Sequence, residues 1–174
     1  MSTATPGTAS PGTAPPTTAP RWLDREEMRA WIGYVETQGD LLTALENDLA
    51  PTGLTLGDYQ VFVYLSSSED DSMKMCDLAE ILQLSPSGLT RRLDGLVKAG
   101  WVERRPSDVD RRVMHAVLTD AGRAKLETAA PIHVESVRAR IIDHLDRDDL
   151  QAFTRAFGKI RAALDAERAA KIAS

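Results

Sequence analysis

The sequence predicts a mainly α-helical fold that carries one small β-hairpin. Apolar residues recur at the three-and-four spacing of amphipathic helices over most of the chain after residue 21. Only over residues 101–118 does this spacing give way to alternation, on both sides of a loop rich in turn formers. With 174 residues, of which 43% are hydrophobic, the chain can bury one substantial core.

The first twenty residues differ in composition from the rest of the chain. They are almost entirely Thr, Ala, Pro, Gly and Ser, with no basic start and no apolar stretch typical of a secretory signal. We expect residues 1–20 to form a disordered tail. No apolar run approaches the roughly 18 to 20 residues that span a bilayer, so no membrane partner is expected. The single cysteine, Cys76, excludes an intrachain disulfide and favours a cytoplasmic location.

Three helices are predicted before residue 84. The first runs from Trp22 to about Leu49 and ends at the sequence APTG. The second follows Thr55, which resembles a capping pair with Asp58; residues 61–63 would also suit a strand, but the cap favours a helix. The third, short helix covers about 74–82, and its inward-facing residues are predicted to be Leu78, Ala79, Ile81 and Leu82.

The fourth helix has the clearest start signal, because Ser85 can serve as N-cap and Pro86 suits the first helical position. At 100° per residue the helix has two distinct sides. One side is apolar: Leu89, Leu93, Leu96 and Val97. The opposite side is small or polar: Ser87, Arg91, Asp94, Gly95 and Lys98. Two short helices joined by a tight turn, the second with small and basic residues outward, indicate a helix-turn-helix that places base contacts in a DNA major groove.

The charge distribution supports this interpretation although the whole chain is acidic, with a net charge of -5. Residues 85–112 contain seven basic and four acidic residues, a local balance of +3. The basic residues are Arg91, Arg92, Lys98, Arg104, Arg105, Arg111 and Arg112. Such a patch is the electrostatic footprint of nucleic-acid binding, although a merely solvated face would have the same composition.

A β-hairpin is predicted directly after this helix. Gly100 is the expected helix stop, and the sequences WVERR and RVMHAVL alternate like strands around the turn-forming PSDVD. A hairpin in this position is a wing, which makes the fold a winged helix-turn-helix. Arg111 and Arg112 beside its loop can reach an adjacent minor groove.

These residues resemble the MarR (multiple antibiotic resistance regulator) family of transcription factors. The resemblance rests on LSPSGLTRRLDGLVKAGWVERRPSDVDRRVMHAVLTDAGRAKL, residues 84–126. It implies that Arg112 enters the minor groove, that Asp110 orients it, and that Arg91 contacts the major groove. The chain departs from the family at Gly95, where many members carry another Arg. The predicted DNA-binding residues are Ser85, Ser87, Gly88, Thr90, Arg91, Arg92, Lys98, Asp110, Arg111 and Arg112.

Two further helices complete the chain. Thr119 is a candidate N-cap for a helix that runs toward Leu145 and is kinked at Pro131, and Asp146 caps the last helix. The last helix has an apolar stripe: Leu150, Phe153, Phe157, Ile160 and Leu164. The resemblance implies that residues 21–54 and 120–170 form a helical dimerisation region and that residues 55–119 form the DNA-binding domain. An intrachain core is the alternative explanation of the stripe.

The predicted function is that of a sequence-specific DNA-binding regulator, a repressor that binds an inverted repeat of double-stranded DNA as a homodimer. The resemblance further implies release by a small aromatic or otherwise lipophilic effector. Candidate pocket residues are Trp22, Trp31, Tyr34 and His133, although aromatic residues on helices are more often part of a core.

Other functions are less well supported. A redox response through Cys76 has no evident cause, because its neighbour Asp77 is acidic; a packed, inert thiol is favoured. A winged-helix module used only for protein contacts remains open. The sequence contains no phosphate-binding loop, nucleophile elbow or Cys/His cluster, which argues against an enzyme and against a cofactor. His133 and His144 share a helix face but lie roughly 16 Å apart, too far for one metal ion.

Overall fold

A computed structural model describes residues 20–173, so the predicted disordered tail lies outside the described residues except for Pro20. The described residues fall into two units that divide between Thr37 and Gln38, within the first helix. The helices are α1 (Arg25–Leu49), α2 (Leu56–Ser66), α3 (Met75–Ile81), α4 (Pro86–Lys98), α5 (Asp120–Arg140) and α6 (Arg147–Ala173). The strands are β1 (Ser72–Lys74), β2 (Val102–Pro106) and β3 (Met114–Leu118). The fold is the predicted one, mainly helical with a small antiparallel sheet.

In the first unit, a reciprocal cap starts α1. The Asp24 carboxylate accepts hydrogen bonds from the backbone N–H groups of Glu26 (2.8 Å) and Glu27 (2.9 Å). The Glu27 carboxylate accepts one from the Asp24 N–H at 2.9 Å. These bonds satisfy donors that a helix start leaves unpaired, so α1 begins at Arg25, later than the predicted Trp22.

In the second unit, α2 begins at the predicted capping pair. Thr55 Oγ1 accepts from the Asp58 N–H, and the Asp58 carboxylate accepts from the Thr55 N–H, both at 3.1 Å. Glu46 on α1 adds a third acceptor, 2.6 Å from the Leu56 nitrogen. The cap makes residues 61–63 helical despite their β-branched content, which confirms the predicted helix.

The sheet has three strands in the order β1-β3-β2, all antiparallel, where the sequence predicted two. The register joins Ser72 to Val117 and Val102 to Leu118. The third strand, β1, has only three residues at the end of a polar run, which is too short for alternation to be visible. As an edge strand, β1 pairs on one side only, with β3. It is identified as a strand by its backbone hydrogen bonds to β3 and not by the pattern of its side chains.

One hydrophobic core lies under α4 and the sheet. Its largest fully buried side chains are Phe62, Leu49, Leu65, Leu78, Leu89, Leu93, Val61 and Val102. Ile81, which was predicted to face inward, is 38% exposed, and Val97, which was predicted to lie on the apolar side of α4, is 36% exposed. Ile81 is the last residue of α3, and Val97 lies at the edge of the apolar stripe, beside buried Leu96.

Glycine ends α4 as predicted. Gly100 has φ +76°, a left-handed conformation that costs glycine little, and its N–H donates to the Val97 carbonyl at 3.0 Å. The Trp101 N–H donates to the Leu96 carbonyl at 3.0 Å, so the two bonds close the helix as a Schellman motif. The chain then turns directly into β2.

Helix α5 starts at the predicted cap but ends earlier than predicted. Thr119 Oγ1 accepts from the Gly122 N–H at 3.0 Å. The helix continues through Pro131 and stops at Arg140, not near Leu145, because Ile141 leaves the helical region (φ -129°, ψ -66°). His144 Nε2 then donates to the Ala139 carbonyl at 2.8 Å and satisfies an acceptor left by the helix end.

A polar triad joins the end of α1 to α5. Ser136 is 4% exposed, and its hydroxyl donates to the Asp48 carboxylate at 2.7 Å. Arg140 Nη1 lies 2.5 Å from the same carboxylate and 3.0 Å from Ser136 Oγ. Since each polar group of the triad has a partner, the junction can be buried without an uncompensated charge.

The last helix, α6, begins at its predicted cap: Asp146 Oδ1 accepts from the Asp149 N–H at 2.8 Å. No residue of 147–171 is buried. Four residues of its apolar stripe are exposed, from 40% at Phe157 to 54% at Ile160, and the fifth, Leu150, is partly buried. The intrachain-core explanation of this stripe is therefore wrong. No helix within residues 20–173 has the length and apolar content required to cross a bilayer.

Candidate DNA-binding interface

The first turn of α4 is compact and polar. Ser85 Oγ accepts from the Gly88 N–H at 3.1 Å and lies 3.2 Å from Ser87 Oγ. Thr90 Oγ1 donates to the Pro86 carbonyl at 2.9 Å. Ser85, Ser87 and Thr90 are exposed and Gly88 is partly buried. Because these residues are small, another molecule can come close to the backbone at this end of the helix.

The structure sorts the seven basic residues of 85–112 into two groups. Within residues 20–173, three of them form ion pairs: Arg92, Arg104 and Arg105. The side chains of the other four form no ion pair or hydrogen bond with a described residue and are exposed: Arg91, Lys98, Arg111 and Arg112. Unpaired cationic groups on α4 and on the wing are available for phosphates or base edges.

Arg92 faces α2 rather than the exposed stripe. Its Nη1 lies 3.6 Å from the Asp58 carboxylate and 3.4 Å from Thr55 Oγ1. The guanidinium packs so closely over Gly57 that a Cβ there would be 1.9 Å from Nη1. Arg92 thus ties α4 to the start of α2. Its predicted DNA contact stays a prediction, for which this placement offers no support.

Backbone hydrogen bonds shape the wing loop between β2 and β3. The Ser107 N–H donates to the Val113 carbonyl at 2.8 Å, and the Val113 N–H donates to the Asp110 carbonyl at 2.9 Å. Asp110 Oδ1 accepts from the backbone N–H of Arg112 at 3.0 Å. Asp110 therefore constrains the backbone at Arg112, while the Arg111 and Arg112 side chains extend into solvent.

Arg104 joins β2 to α4, a role absent from the predicted site. Its Nη2 donates to the Thr90 carbonyl and to the Asp94 carboxylate, both at 2.8 Å. The available sequence signal was Asp94, an acidic residue on the otherwise basic or small face of α4. A partner on a neighbouring element would explain that exception, but the sequence does not identify which arginine supplies it.

The predicted effector residues lie in both units. In residues 20–37, Trp22 is 82% exposed, and the Trp31 and Tyr34 ring centroids lie 6.0 Å apart. In the other unit, partly buried His133 packs against Tyr59 in a tilted arrangement, with the ring centroids 4.4 Å apart. Burial lowers the pKa of His133 and raises the pKa of Tyr59. The effector role of these residues stays a prediction.

Cys76 is exposed, so the prediction of a packed thiol is wrong. Its Sγ donates to the Asp77 carboxylate at 3.2 Å and lines an apolar cleft of about 400 Å³ beside Leu84 and Leu89. Asp77, the acidic neighbour on which the expectation of an inert thiol rested, is the hydrogen-bond partner of that thiol, and redox sensing stays the alternative.

We expect peroxide to leave DNA affinity unchanged, because the residues adjacent to Cys76, Met75 and Asp77, supply no positive charge that would activate its thiol. The measurement is DNA binding before and after treatment, with Cys76→Ser as the matched control. Release of the parent protein from DNA, with the Ser variant still bound, would establish redox sensing instead.

Comparisons with known proteins agree on one family. A sequence model described as the MarR family matches residues 52–113. The chain is 31% identical over 120 residues to the transcriptional repressor MprA of Escherichia coli K12, covering 68% of each chain. It is similar to the crystal structure of AbsC, a MarR family regulator from Streptomyces coelicolor, with 39% identity, a TM-score of 0.81, and coverage of 84% of this chain and 99% of that one. Sco3205 from the same organism, solved in complex with DNA, gives 30% identity, a TM-score of 0.80 and coverage of 85% and 93%.

Proposed function

This chain belongs to the MarR family of DNA-binding transcriptional regulators, and we propose that it is a homodimeric repressor that reads an inverted repeat in double-stranded DNA. The observation that carries the proposal is the set of four unpaired basic side chains on α4 and the wing, in a chain of net charge -5. The membership places the chain among regulators rather than enzymes.

Helix α4 reads the major groove in this proposal. Ser85, Ser87, Gly88 and Thr90 let the first turns approach base edges, because Gly88 has no side chain and the other three side chains are short, with hydroxyls already hydrogen-bonded at the start of the helix. Arg91 supplies a two-donor fork that suits guanine O6 and N7. Lys98, the last residue of α4, reaches the phosphate backbone.

The wing reads the adjacent minor groove. Arg112 enters the groove, and Arg111 contacts a flanking phosphate. The Asp110 carboxylate supports this by fixing the backbone from which the Arg112 side chain departs. A narrow A·T-rich groove has an enhanced negative potential and attracts arginine without a hydrogen bond to any base.

A second copy of the chain covers the exposed stripe of α6. Phe153, Phe157, Ile160 and Leu164 are each 40% or more exposed, and contiguous apolar surface of this kind marks an interaction site. Residues 21–54 and 120–170 form the dimerisation region, and residues 55–119 the DNA-binding domain. Two-fold symmetry would place two α4 helices about 34–36 Å apart, one turn of DNA, so the operator is an inverted repeat.

The repressor role is supported by the 31% identical relative MprA, which is itself a transcriptional repressor. We further infer a small aromatic or lipophilic effector, for which Trp22, Trp31, Tyr34 and His133 are the candidate contacts predicted from the sequence. The buried Nδ1 of His133 has no hydrogen-bond partner among the described residues, so a polar group of a ligand could satisfy it. A regulator of this kind acts where the chromosome lies, in the cytoplasm.

Because α4 and the wing contact different grooves in this proposal, substitutions in the two elements should change operator affinity and base preference in different ways. An operator is first selected from random duplex DNA, and an inverted repeat is expected. Arg91→Ala should then cost roughly 1 to 3 kcal/mol per half-site and relax preference at one base position, because a bidentate base contact is lost. Arg112→Ala should weaken binding and reduce the preference for A·T pairs at the flanks. Affinity is measured on the operator and on variants changed base by base.

Arg105→Ala is the matched control, because it removes the same charge from the wing but from a side chain already paired with Glu103. Its operator affinity should stay close to that of the parent. Parent binding should also weaken steeply with salt, by about 0.9 in the log–log slope per phosphate contact. If no duplex is enriched in the selection, the protein-interaction alternative replaces DNA binding.

A further inference from the structure

Arg104 occupies the junction between the wing and the recognition helix. We propose that it is a positioning residue for operator binding, which locks β2 onto α4 and compensates the charge of Asp94. The inference rests on the proposed function, since it concerns how Arg91 and Arg112 are held relative to each other. Its basis is the pair of 2.8 Å bonds from one nitrogen, Nη2, to the Thr90 carbonyl and to the Asp94 carboxylate.

The bond to Thr90 has a rigid target. A backbone carbonyl in the middle of α4 cannot move without bending the helix, unlike a surface carboxylate on a flexible side chain. The Arg104 side chain is only 27% exposed, and its Nε is buried without a hydrogen-bond partner among the described residues. A freely solvated arginine would avoid that desolvation cost, so the guanidinium is held in place by its two acceptors.

The backbone of Arg104 itself is also fixed, by its position in β2. Arg104 pairs in the sheet with Ala116, which is fully buried, and the two neighbouring pairs are Glu103–Val117 and Arg105–His115. The wing loop follows β2 directly and carries Arg111 and Arg112. The bond from Arg104 to α4 therefore sets the orientation of the wing relative to the helix, and fixing it before DNA arrives reduces the ordering cost of binding.

Asp94 supplies the second part of the inference. It is three residues after Arg91, so the two lie on the same face of α4, and its side chain is 58% exposed. A carboxylate on the face that meets DNA would be repelled by phosphates. Arg104 compensates this charge locally, which leaves the unpaired cations of the interface free to act on DNA.

The test is Arg104→Met, which keeps an unbranched apolar stem and removes both hydrogen bonds. Operator affinity should fall roughly tenfold or more, the range expected for losing hydrogen bonds of a charged donor. In hydroxyl-radical footprints the flanking minor-groove protection should weaken before the central protection does. Arg104→Lys should recover part of the affinity, because an ammonium can donate to the same two acceptors.

Asp94→Asn separates the two roles. Added to Arg104→Met, it should restore part of the affinity by removing the uncompensated carboxylate, but should leave the flanking protection weak. Arg105→Met is the matched control: it removes the same charge from the adjacent position of β2, which has no bond to α4, and its footprint should match that of the parent.

Thermal unfolding of each variant shows whether the loss is one of fold. If Arg104→Met does not fold, the operator affinities and footprints of Asp94→Asn and Arg104→Lys are compared with those of the parent instead. Each of these variants retains an acceptor and a donor at the junction. The inference is overturned if Arg104→Met stays folded, binds the operator with the affinity of the parent and protects the flanking minor groove as the parent does. It is also overturned if Arg105→Met loses as much operator affinity and flanking protection as Arg104→Met. If the parent itself binds no DNA, the proposed function fails first.

Discussion

Replacing Ile160 with aspartate should dissociate the protein into monomers and lower its operator affinity roughly 100-fold or more, since linked binding of two half-sites is lost. Ile160 is 54% exposed on α6, in the apolar stripe that we assign to the interface between copies. The substitution would place one carboxylate from each protomer in that interface. The desolvation cost is several kcal/mol per ion, with no cation of the stripe to offset it. Sedimentation equilibrium gives the oligomeric state, and titration of the selected operator gives the affinity.

Ala162→Asp is the matched control for this result. It adds the same carboxylate to the same helix, but two residues on and therefore about 200° around the axis. Dimerisation and operator affinity should be unaffected apart from a small loss of helix propensity. A dimeric Ile160→Asp protein with parental operator affinity would place the interface elsewhere in the chain.

Gly122→Ala should lower the free energy of unfolding by about 1–3 kcal/mol, because the first turn of α5 rests directly on the backbone of Trp101. A Cβ on Gly122 would lie 2.1 Å from the Trp101 carbonyl oxygen and 2.7 Å from Leu118 Cδ1. The backbone oxygen cannot turn aside, since it accepts a hydrogen bond from the Thr119 N–H at 3.1 Å. Thermal unfolding at fixed protein concentration should show a fall of about 2–4 °C per kcal/mol.

The same substitution at Gly95 should have the opposite sign. A Cβ there would meet no atom within 4 Å, and Gly95 lies inside α4, where alanine stabilises a helix by about 0.5–1 kcal/mol relative to glycine. A lower melting temperature for Gly95→Ala, or an unchanged one for Gly122→Ala, would contradict this account. The pair thus separates backbone crowding from intrinsic helix propensity.

Four of the helix starts could be predicted because their signals are local. Thr55 with Asp58, Ser85, Thr119 and Asp146 each lie within three residues of the group that they cap, and all four caps are present. The winged fold was predictable for the same reason, since the change of periodicity after Gly100 is visible over a few residues.

Features that depend on distant partners could not be predicted. Strand β1 exists because β3 pairs with it, and Arg92 and Arg104 are engaged because α2 and α4 supply Asp58 and Asp94. In the sequence these arginines do not differ from Arg91 or Arg112. The pairing of charges, which decides which cations remain available, is therefore a property of the fold.

The position of β3 between β1 and β2 also has a consequence for folding. Pairing of Ser72 with Val117 closes a long loop that contains α3, α4 and β2, and closing it costs chain entropy that the local hairpin does not. The hairpin and the β1–β3 pair both need β3 to have emerged from the ribosome, but only the β1–β3 pair must also close the long loop. Non-local pairing of this kind slows folding and makes it cooperative. A nascent chain therefore has no complete winged domain until residue 118 is available.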